Sequence, residues 1–244
     1  MTTKNIVITG AAMGIGAAIA KRVARGNRLL LHYHASAAEI EETRRAVQET
    51  CASVDVVKAD LSVDEGCVSL CERIRERFDA LDVLVNNAGG MIERRAVGAL
   101  SWQHLSQTFA LNTFSAMRLT ALCADLLQAG TSPCVVNITS IAMRHGAPSA
   151  TAYGAAKAAI DAFTRGAAHE LAPRVRVNAV APGIIDTRFH ERVTPAAKMK
   201  QFLDATPIKR LGGVDDVARA VEFLIESDFI TGETIDCNGG LYMR

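Results

Sequence analysis

The chain has 244 residues, 49 % of them hydrophobic and 22 % charged, and its 27 basic and 26 acidic side chains leave a formal net charge of +1. Such a size and composition suit one well-packed domain, and near-neutrality excludes the broad basic field that draws nucleic acid or acidic membrane to a protein. No apolar run reaches the ~18 residues of a membrane span, no cationic leader precedes the first strand pattern, and the six cysteines form no CxxC pair, so a cytoplasmic protein with reduced thiols is expected.

Along the chain, short runs rich in Val, Ile and Leu at 5–9, 28–33, 54–58, 81–85, 134–138, 175–180 and 233–236 predict seven strands. Helix-length segments at 15–25, 37–50, 64–79, 102–129, 150–171 and 214–226 separate them. This alternation predicts an α/β fold: a single-domain, Rossmann-type, doubly wound parallel sheet of seven strands with helices on both faces. The strands are almost unbroken apolar runs, as burial from both sides requires. Residues 1–244 are expected to form one nucleotide-binding domain. Its least regular stretch, 184–212, holds Pro195, Pro207, Gly212 and Gly213 and reads as a substrate loop or lid with a short helix.

The first strand opens into TGAAMGIG, so Thr9, Gly10, Met13, Gly14, Ile15 and Gly16 make a glycine-rich turn that starts a helix. Glycines let backbone approach a pyrophosphate, and the unpaired N–H groups of a helix start favour an anion. The spacing is Gly-x-x-x-Gly-x-Gly, which differs from the G-x-G-x-x-G fingerprint.

The second strand ends in LHYHAS, where an acid would bind the adenosine ribose of NAD. Tyr33, His34 and Ser36, with His32 before them, are neutral or cationic donors that tolerate a 2′-phosphate better, so NADP(H) is favoured and NAD(H) stays open. No third ligand joins His32 and His34, and no metal site is expected. The third strand ends in ADLS, where Asp60 could accept from an adenine amino group with Leu61 beside it. In VNNAGG, Asn86, Ala88 and Gly89 offer a close-approach backbone beside the ribose. Each of these also reads as an ordinary strand-ending turn.

The fifth strand, CVVNITS, delivers Ser140 to the same edge, and TAYGAAKAAI places Tyr153 and Lys157 one above the other on a helix. A cation beside a phenol is expected to lower its pKa toward a range useful for acid or base catalysis. Ser140 could then polarise a substrate oxygen while Tyr153 moves the proton. Ser140 as a hydrolytic nucleophile is disfavoured, because NITSIA is no G-x-S-x-G elbow. Asn112 is an unusual polar residue inside the predicted helix 102–129.

With those motifs on the page, the chain closely resembles the short-chain dehydrogenase/reductase family over essentially its whole length, through TGAAMGIG, ADLS, NNAG, Asn112, Ser140, YGAAK, VRVNAVAPGIIDT and TGETIDCNGG. The resemblance implies a catalytic tetrad of Asn112, Ser140, Tyr153 and Lys157. In it Tyr153 is the acid or base, Lys157 lowers the pKa of that phenol and holds the nicotinamide ribose, and Asn112 anchors a proton-relaying water. It further implies dinucleotide contacts from Gly10, Ile15, Asp60, Asn86, Gly89, Pro182, Gly183, Ile185 and Thr187, closure of about 188–207 over substrate, and a homotetramer built through helices 102–129 and 150–171.

The ending TGETIDCNGGLYM looks like the 3-oxoacyl-carrier-protein reductases, whereas LHYHASAAE looks like pteridine reductases. LLQAGTSP carries no basic residue where those carrier-protein reductases dock their acidic partner, and Arg174 stands alone. The expected substrate is therefore a small carbonyl or secondary alcohol, such as a 3-oxoacyl thioester or a free ketone. A catalytically silent dinucleotide sensor or scaffold on the same fold is the alternative.

Overall fold

The computed structural model describes residues 2–187 and 196–243. Seven parallel strands, β1 (Asn5–Ile8), β2 (Arg28–Tyr33), β3 (Ser53–Lys58), β4 (Val83–Asn86), β5 (Cys134–Ile138), β6 (Arg176–Pro182) and β7 (Thr234–Cys237), lie in the order β3-β2-β1-β4-β5-β6-β7. The chain winds outward from β1 in one direction and then from β4 in the other, so the crevice between the carboxyl ends of β1 and β4 is the topological switch point, where such sheets bind ligands.

Period-two alternation sends successive strand residues to opposite faces. Ile6, Ile8, Leu29, Leu31, Val83 and Val85 pack beneath α1 (Gly14–Val23), α2 (Ala37–Gln48) and a C-terminal helix, Val214–Glu226. Val7, Leu30, Leu84, Val135 and Val177 face the other way, toward α3 (Asp64–Arg77) and the helices between β4 and β6. Apolar demand on both faces is what made these strands read as continuous hydrophobic runs.

The predicted helix 102–129 is not one helix. It divides into α4 (Trp102–Phe109), a π-turn over Ala110–Phe114, α5 (Ser115–Leu122) and α6 (Ala124–Ala129), with Cys123 at φ −98° and ψ 4° between the last two. No proline or glycine breaks it. Tertiary bonds do: Asn112 binds the backbone of Gly90, and Thr113 Oγ1 donates to Ala156 O at 2.9 Å. A π-turn of this kind is a frequent mark of a functional site.

After β5 comes a short helix that the sequence pattern does not announce, α7 (Ala142–His145), then α8 (Thr151–Leu171). Between them Gly146, Ala147 and Ser149 all have positive φ. For Ala147 and Ser149 that backbone is costly, as is common beside functional sites. Of the expected lid, residues 188–195 lie outside the described residues, and 196–205 form α9 (Ala196–Ala205), which leads to α10 (Val214–Glu226). An Ile185–Gly212 bridge closes the base of this segment. Among the described residues no helix is long and apolar enough to cross a membrane.

A buried polar ladder fixes α8 against the sheet. Asn86 Nδ2 donates to Asn137 Oδ1 across the β4–β5 pair at 2.9 Å, Asn137 Nδ2 donates to Thr164 Oγ1 at 2.9 Å, and Thr164 Oγ1 donates to Ile160 O at 2.8 Å. Replacing Asn137 with Ala strands buried partners on both sides. The expected outcome is a loss of about 2 kcal/mol in urea unfolding, with secondary structure retained; a midpoint equal to that of the parent protein would show that the ladder does not hold the helix.

Candidate active site

The glycine-rich turn is held in shape by its neighbours. Thr9 Oγ1 donates to Val85 O and accepts from the N–H groups of Asn87 (3.0 Å) and Ala88 (2.9 Å), which latches β1 to the end of β4. Asn87 Nδ2 then donates to Thr9 O at 2.9 Å and Gly10 O at 3.0 Å. Gly10 has φ +64°, a conformation that favours glycine. At Gly16 a Cβ would fall 2.2 Å from Gly10 O, so only glycine permits the helix to start this close to the turn. The first-turn N–H groups of α1 lack intrahelical partners and no acid stands among them, which leaves an anion site at the helix start.

His32 is the hidden bracket of this turn. Its Nδ1 accepts from Gly10 N–H at 3.1 Å, and its Nε2 therefore donates to Ala59 O at 3.1 Å, which ties β1 and β3 across β2 in one tautomer. Burial pushes its pKa down to about 4. Both ring nitrogens are spent within the fold, so His32 is no donor to a ligand, contrary to the sequence reading.

A cleft of about 1090 Å³ opens above this turn and reaches Tyr153. Gly10, Met13, Gly14, Ile15, Gly16, Ala88, Gly89, Ser140, Tyr153, Lys157, Pro182, Gly183, Ile185 and Thr187 line it, as the sequence proposed for all of them. Seven expected cofactor contacts do not, and three of these are spent within the fold. Thr9 is 1 % exposed and serves as the latch just described, Leu61 is core beneath α3, and Asn86 turns into the polar ladder toward Asn137. Asn87, passed over in the sequence, is the asparagine that faces the cleft.

Tyr33, His34, Ser36 and Asp60 also fall outside the cleft walls. Tyr33 leans on the core, and His34 Nε2 stands 3.9 Å from Asp60 Oδ2. Asp60 Oδ1 accepts from Ser62 N–H and Oγ–H at 2.9 and 2.7 Å, bonds that hold its carboxyl below the usual range. Met91, Arg94 and His145, which the sequence did not single out, also line the cleft, as do Lys198 and Phe202 from the 188–207 stretch expected to close over substrate. Their types carry no motif, and only the fold gathers them.

At that end Ser140 follows β5 by two residues. Its Oγ accepts from Ala142 N–H at 3.1 Å and is hydrogen-bonded to the Tyr153 hydroxyl. Lys157 is 4 % exposed, and its Nζ donates to Ile138 O at 2.8 Å. A Cβ on Gly89 would come 3.0 Å from Lys157 Nζ and 2.8 Å from Asn112 Oδ1, so a side chain there would press on the ends of both where the 87–90 loop, α8 and the π-turn converge. The Asn112 amide is engaged at both ends: Oδ1 accepts from Gly90 N–H at 2.8 Å, and Nδ2 donates to Gly90 O and Thr108 O, each at 2.9 Å.

The expected sign of the Tyr153 shift is overturned. Desolvation pushes the phenol up to about 12, and the Ser140 hydroxyl offsets this only in part. Lys157 stands over the Tyr153 ring, its Nζ 6.0 Å from the centroid, and burial pulls its own pKa down to about 8. The resting site therefore presents a protonated phenol beside an ammonium that readily gives up its charge. Among the described residues no three His, Cys, Asp or Glu side chains gather as a metal site.

A short-chain dehydrogenase/reductase family model, described as enoyl-(acyl carrier protein) reductase, matches residues 10–242. An uncharacterised oxidoreductase of Mycobacterium tuberculosis is 36 % identical over 242 residues, spanning 98 % of this chain and 92 % of that one. The 3-oxoacyl-[acyl-carrier-protein] reductase FabG of Staphylococcus epidermidis is 31 % identical over 248 residues, spanning 98 % of this chain and 99 % of its own. Among solved structures, an NADH-dependent reductase A1-R′ responsible for alginate metabolism superposes with a TM-score of 0.90 at 30 % identity, covering 100 % of this chain and 98 % of that one.

His32 makes the turn pH-sensitive. Its folded pKa of about 4 lies below the value of 6.5 it starts from, so protons favour the unfolded chain. The stabilisation is complete above about pH 6.5 and drains away as pH falls toward 4, by up to about 3 kcal/mol at ~1.4 kcal/mol per unit. In urea unfolding between pH 7 and pH 4.5, the His32→Gln variant is expected to lose less stability than the parent protein. Equal slopes for the two would refute the bracket.

Proposed function

The chain belongs to the short-chain dehydrogenase/reductase family of NAD(P)-dependent oxidoreductases, and we propose that it is an NADP(H)-preferring carbonyl reductase with Tyr153 as its general acid. The observation that carries this reading is the meeting of Ser140, Tyr153 and Lys157 at the end of a cleft that begins at a glycine-rich helix start. The residues fit a dinucleotide, because glycine is required where the backbone closes up at Gly16 and the buried Lys157 ammonium faces the same cleft. A bound nicotinamide supplies or accepts the hydride.

The protein's own share is alignment and proton handling. Ser140 holds a carbonyl oxygen beside Tyr153. The phenol, kept protonated by desolvation, gives that oxygen its proton as charge develops there, and in the reverse direction the phenolate takes it back. Lys157 bridges Ile138 O and the cleft, where it can hold a ribose hydroxyl and carry the next proton. Asn112 is a positioning residue: its side chain staples Gly90 to the π-turn, so the water relay implied by the resemblance is left to its main chain.

Preference for NADP(H) rests on the end of β2, where Tyr33, His34 and Ser36 stand in place of an acid. The NADH-dependent structural neighbour makes this preference a point for measurement. A small free carbonyl compound is favoured over a carrier-bound thioester. Arg174, the one basic candidate for docking an acidic carrier, spends its guanidinium on Gln128 O (2.7 Å) and Gly130 O (2.5 Å), and the Leu126–Pro133 stretch has no Lys or Arg. Exposed Trp102, Phe114 and Met117 on α4, the π-turn and α5 support assembly through these helices, which the family resemblance makes a homotetramer. Sedimentation of a monomer at micromolar concentration would overturn that assembly.

A silent dinucleotide sensor would need neither a desolvated phenol nor its buried lysine. Tyr153→Phe decides between the two readings. With a ketone panel and NADPH, turnover should fall at least about a hundredfold while fluorescence titration shows cofactor affinity unchanged. Undiminished turnover would remove Tyr153 from the chemistry. In parallel titrations NADPH should bind more tightly than NADH, and the opposite order would reverse the cofactor assignment.

A further inference from the structure

Outside the cleft, two of the six cysteines meet. Cys71 lies on α3 and Cys123 in the break between α5 and α6, with their Sγ atoms 3.9 Å apart. Cys123 is completely buried and Cys71 is 4 % exposed. Arg75, one helical turn beyond Cys71, is locked by two 2.8 Å bonds to Asp125 and donates to Leu122 O at 3.0 Å, the same carbonyl to which Cys71 Sγ donates at 3.3 Å. A fixed guanidinium therefore stands beside one thiol, while the other is shut in the core. We propose that Cys71 and Cys123 are a peroxide-reactive dithiol that closes to an intramolecular disulfide, with Cys71 as the attacking sulfur and Cys123 as the resolving one.

The two thiols are made unequal by their surroundings. The Cys123 thiol, as hydrogen-bond partner, and the Arg75 cation outweigh burial and the Asp125 carboxylate and draw the Cys71 thiol below its ordinary value, whereas Cys123 is pushed upward by the same contact and by burial. At Cys67 and Cys134 burial outweighs the arginines nearby, and the thiols rise to about 11. In the first step the Cys71 thiolate attacks one oxygen of hydrogen peroxide. An S–O bond forms, the O–O bond breaks and hydroxide leaves, so peroxide is reduced and Cys71 becomes a sulfenic acid. Cys123 sulfur then attacks that sulfur. The S–S bond forms, the S–O bond breaks, and hydroxide departs with the Cys123 proton as water. Closing from 3.9 Å to a bond of ~2.05 Å needs the α5–α6 junction to shift, and Cys123 sits at that junction rather than inside a helix.

The test treats the full-length protein with hydrogen peroxide, counts thiols under denaturing conditions and maps the peptides. Expected is a fall from six thiols to four, a cross-linked pair of peptides containing Cys71 and Cys123 that is two hydrogens lighter than its parts, and return to six with dithiothreitol. Cys123→Ser should stop at a sulfenic acid on Cys71 that dimedone traps, and Cys71→Ser should slow the thiol loss at least about tenfold. Peptide mapping of the parent protein decides even if a variant fails to fold. Oxidation of the less buried Cys51 or Cys237 with Cys71 and Cys123 left as thiols, or equal rates in all three proteins, would overturn the proposal.

Discussion

The contact on which the site turns is the 2.8 Å bond from the buried Lys157 ammonium to the Ile138 carbonyl. An ammonium removed from water loses solvation that a single carbonyl repays only in part, and the pKa falls accordingly. The same bond is geometric. It fastens α8 to the last residue of β5, so the phenol one helical turn earlier meets the serine two residues beyond that strand. Break the register of helix against strand, and Tyr153 loses Ser140 while the ammonium loses its acceptor. The polar ladder through Asn137 and Thr164 secures the same helix deeper in the core, and Arg144 on α7, 3.3 Å from Asp236 and 3.8 Å from Asp161, draws the far side of α8 toward β7.

The other end of the cleft is built by a different economy, in which polar side chains shape backbone. Thr9, Asn87 and His32 each bond main-chain atoms of the turn or of the strand ends around it. They hold Gly10 in a conformation few residues accept and leave the α1 N–H groups free of internal demands. A ligand arriving there meets donors already oriented, so less ordering entropy is lost on binding.

Much of this was legible in the sequence, and the parts that were not share a cause. Strands read correctly because both faces of a covered parallel sheet are apolar, as Ile6, Val7 and Ile8 show by packing in turn on opposite sides. That same burial erased the alternation that would separate Asn86 from Asn87, since all four residues of β4 are buried. The break in 102–129 has no local signal, because it answers to Gly90 and Ala156, which lie far away in sequence. His32 looked like a rim donor for want of any pattern linking it to Ala59, a partner delivered only when β2 and β3 pair. Spacing placed Tyr153 under Lys157 correctly, but spacing says nothing about how much water remains.

That last gap decides the chemistry. Two effects compete at Tyr153: an ammonium nearby favours phenolate, and loss of water favours phenol. In the resting site the second wins, since the ammonium is held toward Ile138 and is itself near the point of discharge. In the proposed reaction the neutral phenol is the form that gives a proton to an oxygen gaining charge, and the phenolate left behind is the form that takes one back; Lys157, whose charge burial makes easier to lose, stands one helical turn away in either direction.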